Sequence, residues 1–129
     1  PPQDAAPSAP YAVRSQTILY PFDSDRGSGP DMLVLRQLAV YAQAARARVT
    51  VVSRQGVSKL SNGERLAEAS GMAKQRADKI VGILEGLGVP AASIAARVDD
   101  RSPDDPGGEA WRDRRIEVTV SPGSSYVRR

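Results

Sequence analysis

The sequence predicts an α+β domain of order β-α-β-α-β-β, with two helices packed on one face of a small mixed sheet. Three observations predict it. Short β-branched segments alternate with helical segments along the chain. Residues 61–90 carry one strong apolar stripe at helical spacing. The 129 residues are 40% hydrophobic, enough for one domain with a modest core.

Residues 1–15 are rich in Pro, Ala, Ser and Gln and read as an extended tether. The predicted domain follows at 16–120, and 121–129 form a tail. Gln16 to Phe22 reads as the first strand, since Thr17, Ile18, Leu19, Tyr20 and Phe22 suit a pleated surface. Pro21 confines it to a sheet edge or to the strand's end. The turn-formers at 23–29 then break the strand. The Asp23/Asp25 pair raises a cation site as one reading, but no calcium-loop spacing follows and a solvated loop accounts for it.

Pro30 and Asp31 open a helix that runs to about Ala45, with Leu35, Leu38, Ala42 and Ala45 on its apolar face. Residues 48–53, RVTVVS, form the next strand, and Val49, Val51 and Val52 break strict alternation, which indicates partial burial on both faces. Residues 54–59 read as a polar loop. The second helix is expected over Glu64 to Leu87, with Leu66, Ala69, Ala73, Ala77, Ile80, Leu84 and Leu87 on its stripe. Ser61 and Glu64 have capping-box spacing, Gly88 suits a left-handed end, and Pro90 stops continuation. A short strand centres on Ile94 to Val98. An acidic loop with two prolines spans 99–108, and solvation accounts for it better than calcium binding. Arg114 to Val120 is the last strand, with Ile116, Val118 and Val120 on one face.

Composition narrows the chemistry. With no cysteine, disulfides and thiolate metal sites are excluded; with no histidine, the usual imidazole base is gone. No paired carboxylates fall on a predictable element, so no enzyme activity, cofactor or metal site is expected. No apolar run is long enough to span a bilayer. Membrane attachment is expected only through an anchor, such as that of a lipoprotein, upstream of Pro1. The formal net charge is +3, with arginines clustered at 112, 114, 115, 128 and 129. Nucleic acid is not the expected partner, because Trp111 and Tyr126 are the only aromatics near that cluster.

Three motifs in order resemble the OmpA-like domain family of bacterial envelope proteins. YPFDSD at 20–25 is similar to its first strand and turn, QRADKIVGILEGLGVP at 75–90 to its second helix end, and WRDRRIEVTV at 111–120 to its last strand. The resemblance implies a non-catalytic periplasmic domain that holds peptidoglycan, gripping the stem-peptide diaminopimelate with an Asp and an Arg. Arg76, followed by Ala77, matches the family arginine, and Arg114 and Arg115 match the arginines of its last strand. The Asp-bearing motif falls on VSRQG at 52–56, which has no carboxylate, and the stretch from there to Arg76 is longer than the family pattern.

Two functions follow. The first is docking onto a protein partner in an envelope machine such as a pilus, secretion or outer-membrane complex, with Arg54, Gln55, Lys59 and Asn62 as contact residues. The second is peptidoglycan binding by Arg76 with an altered acidic partner, Glu64 or Glu68, flanked by Arg114 and Arg115. On a continuous helix, Glu68 lies about 12 Å along the axis from Arg76, far for one small ligand group. Outside either function, Arg76 reads as a solvent-exposed helix residue.

Overall fold

The computed structural model describes residues 12–59, 62–99 and 114–122. Among these residues, two α-helices and six strands follow in order: β1 (Arg14–Leu19), α1 (Gly29–Ala45), β2 (Arg48–Arg54), β3 (Val57–Lys59), β4 (Arg65–Ala67), α2 (Met72–Gly86), β5 (Ile94–Asp99) and β6 (Arg115–Ser121), with one 3-10 turn at Ala91–Ser93. Most of the tether and tail, and the acidic loop with Trp111 and Arg112, lie outside the described residues, as does the Ser61 cap.

The main sheet has the order β1-β6-β2-β5. β6 runs antiparallel to both β1 and β2, and β2 runs parallel to β5, so the sheet is mixed. α2 provides the crossover that a parallel β2–β5 pair requires. β1 is an outer strand, in keeping with Pro21 just beyond its end.

Alternation along the strands turns Ile18, Val49, Val51, Ile116, Val118 and Val120 to one face, where all are buried. Leu35, Leu38, Ala39, Ala42 and Ala45 of α1 and Ile80 and Leu84 of α2 cover that face. Full burial of Leu35 or Leu84 contributes about 1.5–3 kcal/mol each. α1 has Pro30 and Asp31 in its first turn, as its sequence predicts, and Ser28 caps it: Ser28 Oγ accepts from the Asp31 N–H at 3.2 Å.

The second helix differs from expectation. It begins at Met72, not near Glu64. β3 and β4 pair as antiparallel strands where a loop and a helical turn were expected, with Val57 opposite Ala67 and Lys59 opposite Arg65. Leu66 is therefore not on the core stripe; it lies on β4 and is 45% exposed. Gly71, at φ +87°, makes the left-handed turn into α2. At the other end Gly88, at φ +106°, takes the left-handed position expected of it, and the Val89 N–H reaches Leu84 O at 3.1 Å.

Candidate functional site

The late start of α2 changes the geometry around Arg76. Glu68 is not a helical residue two turns away: it sits between β4 and α2 and meets Arg76 directly. Both side chains have no exposed surface. Arg76 is accordingly not the solvent-exposed residue that its sequence position implied.

The pair is bidentate. Arg76 Nη1 donates to Glu68 Oε1 at 2.8 Å, and Arg76 Nη2 donates to Glu68 Oε2. The remaining guanidinium N–H groups donate to main-chain oxygens: Nε to Ser24 O at 2.9 Å, Nη1 to Arg54 O at 3.2 Å and Nη2 to Pro21 O at 3.3 Å. A guanidinium has five donors, and these five bonds use them all. The carboxylate is equally occupied. Its Oε1 also accepts from the Gly56 N–H at 2.8 Å and its Oε2 from the Asp23 N–H at 2.7 Å. Full pairing is what allows two charges to sit in a dry interior. The Tyr20 ring lies against the guanidinium, 4.8 Å from its centroid, and burial pushes the Tyr20 phenol well above its ordinary range.

The neighbouring acids fix the elements that carry this pair. Asp23, at φ +53°, accepts from the Ala69 N–H at 2.7 Å, so the loop after β1 and the segment after β4 exchange hydrogen bonds. Asp25 accepts from Gln75 Nε2 at 2.9 Å and faces Lys79 Nζ at 3.5 Å. The Gln75 hydrogen bond, with Lys79 beside it, holds the Asp25 carboxyl below its usual range. Asp23 thus ties the segment before α2, and Asp25 ties α2 itself, to the loop after β1.

The other sequence-predicted residues divide. Arg114 joins the cluster through Tyr20: its Nε donates to Tyr20 O at 3.1 Å, and its own carbonyl accepts from the Tyr20 N–H at 2.9 Å. Arg115 points to the opposite sheet face and meets Glu117 at 3.0 Å. Arg54 pairs with Asp99 at 2.8 Å on that outer face. Gln55 Oε1 accepts from the Ala73 N–H at 3.1 Å and satisfies an otherwise orphaned donor in the first turn of α2. Lys59 lies on β3. Asn62 sits in the exposed hairpin turn, where its Oδ1 accepts from the Glu64 N–H at 2.9 Å. Sequence reasoning missed Asp23, Gly56, Ser24 and Tyr20 as members of the cluster. Three of the four act through main-chain atoms, which leave no mark on residue type.

No protein-family model matches the chain, and no curated protein sequence does. Solved structures do match its fold. The OmpA-like domain of FopA1 from Francisella tularensis superposes with a TM-score of 0.64 at 13% identity, covering 85% of this chain and 73% of that one. The peptidoglycan-associated lipoprotein from Burkholderia pseudomallei superposes with a TM-score of 0.64 at 19% identity, covering 82% and 90%. The C-terminal domain of Helicobacter pylori MotB gives 0.63 at 17% identity, covering 88% and 89%. Two helices on a four-stranded mixed sheet, in this order and at this coverage, give the chain the fold of a divergent OmpA-like domain.

Proposed function

We propose that this chain is a non-catalytic domain of the bacterial cell envelope, periplasmic in location, that docks onto a protein partner in an envelope assembly. The envelope part of this reading is supported by the fold neighbours, which include an OmpA-like domain, a peptidoglycan-associated lipoprotein and periplasmic domains of MotB. Docking through protein contacts, in preference to anchoring on the cell wall, is supported by one observation. Every donor of Arg76 and every lone pair of Glu68 is used within the chain, so the arginine matched by the resemblance offers nothing to an outside ligand.

The contact surface we assign is the β3–β4 hairpin and its turn. It is a two-stranded ribbon separate from the main sheet, with Asn62, Glu64 and Leu66 exposed. Arg54 and Gln55, at its base, act as supports for this ribbon because their side chains are engaged with Asp99 and α2.

The second reading, a peptidoglycan anchor using Arg76, is favoured by the name of the Burkholderia neighbour and requires Glu68 to yield its place. Sedimentation of the purified chain with peptidoglycan sacculi separates the two. Docking predicts that the chain stays in the supernatant. Retention on sacculi that free diaminopimelate reverses would replace docking with anchoring. A photo-crosslinker at Asn62, used in whole envelopes, is expected to capture a discrete protein band.

A further inference from the structure

We propose that the fold is a directional mechanical clamp, built to carry load between the start of β1 and the β3–β4 hairpin. Its use in the cell rests on the docking reading above; its mechanics rest on strand order. β1 and β2 run the same way, each antiparallel to β6 between them. The start of β1 therefore lies at one end of the sheet, while β2 ends at the other and leads into the hairpin. A load between those two points draws β1 and β2 lengthwise in opposite directions past β6. Antiparallel hydrogen bonds stand perpendicular to the strands, so this load falls on all of them together. Between β1 and β6 it meets a register that runs unbroken from Arg14 opposite Val120 to Leu19 opposite Arg115. Side chains and the next residue lengthen that seam. Ser15 Oγ lies 3.1 Å from Thr119 Oγ1. The Tyr20 N–H donates to Arg114 O at 2.9 Å, and Arg114 Nε donates to Tyr20 O at 3.1 Å.

A strap precedes the seam. The Tyr41 hydroxyl of α1 donates to Ala12 O, and the Arg14 guanidinium lies over the Tyr41 ring, 4.1 Å from its centroid. A pull on the chain before Ala12 reaches these contacts before it reaches the strand pairing. The same seam is weak in another direction. The first residue of β1 lies opposite the end of β6, Arg14 against Val120. A load between residues 12 and 122 therefore peels the strands apart one pair at a time.

The chain has no cysteine, so introduced thiols are unique attachment points for single-molecule force spectroscopy. Ala12→Cys with Asn62→Cys loads the seam in shear, and Ala12→Cys with Pro122→Cys peels it. Shear is expected to need a severalfold higher rupture force than peeling, since forced unfolding reports the unfolding rate in the pulled direction. Tyr41→Phe deletes the bond to Ala12 and keeps the ring, and is expected to lower the shear force. It is expected to leave the force between Asn62→Cys and Pro122→Cys unchanged, because that path bypasses Ala12. Equal forces in shear and in peeling, or a shear force untouched by Tyr41→Phe, overturns the clamp. No partner takes part in these pulls, so the clamp stands or falls separately from the docking reading that the crosslinker at Asn62 tests.

Discussion

Glu68 and Arg76, eight residues apart, exhaust each other's bonding capacity: two hydrogen bonds join them, and five more tie them to the main chain. Removing one partner leaves a buried charge without its counterion. Arg76→Ala and Glu68→Ala are each expected to cost about 3–5 kcal/mol of unfolding free energy. An apolar double variant, Glu68→Leu with Arg76→Met, is expected to cost less than the sum of the two single changes, because no orphaned charge remains. Urea denaturation of the wild type, Glu68→Leu, Arg76→Met and the double variant closes the cycle and measures the coupling.

Gln55 is a helix cap from outside the helix. Its carbonyl oxygen serves the Ala73 N–H, while Gly71, at the usual capping position, has no side chain to do so. Gln55→Ala is expected to destabilise the domain by about 1 kcal/mol, with the amides of the first turn of α2 exchanging faster. Unchanged exchange there would show the cap to be unimportant.

Gly88→Ala tests the end of the same helix. A Cβ at Gly88 would stand 2.8 Å from Gln43 Oε1, in a backbone conformation that side chains rarely adopt. Gln43 is held by bonds from its Nε2 to Ala39 O and Leu87 O, both at 3.0 Å, so it resists moving aside. A loss of about 1–3 kcal/mol is expected in a denaturant melt.

Two groups give the stability an expected pH dependence. Burial raises the Tyr20 phenol, so its contribution is complete below the unfolded value of about 10 and falls as pH rises beyond it. Tyr20→Phe is expected to lose less stability than the wild type on passing from about pH 8 to about pH 11. The Asp25 carboxyl is lowered, first by Gln75 and then by Lys79, so its contribution is present at neutral pH. It is lost as pH falls below about 4 and through the folded value. Asp25→Asn should flatten that acid limb slightly, since the site is partly exposed. Melting curves across pH check both signs.

Much of this fold was legible from local chemistry. Pro30 and Asp31 mark the start of α1, and its stripe Leu35, Leu38, Ala42 and Ala45 is the buried face. The strand at 114–120 shows strict alternation and is β6, an interior strand of the sheet. The start of α2 was misread because Leu66 and Ala69 continue the three-and-four spacing by coincidence. The signal that corrects it was present: Asn62-Gly63 is a hairpin turn pair, and Gly63 takes φ +88°. Ser70-Gly71 likewise marks a break before the helix. Burial of Arg76 was not legible, since an arginine on a helix is ordinarily solvated and its acceptors here are largely main-chain oxygens.

The strand order has a consequence for how the protein is made. Ile116 lies between Ile18 and Ser53, Val118 between Gln16 and Val51, and Val120 between Arg14 and Val49. A nascent chain that has reached residue 114 already holds both helices but has nothing to join the first strand to the second. The sheet closes only when the last strand of the domain is available, so folding of the sheet waits for the synthesis of β6. A premature stop before Arg115 removes the strand that joins β1 to β2 and so does more than trim this domain.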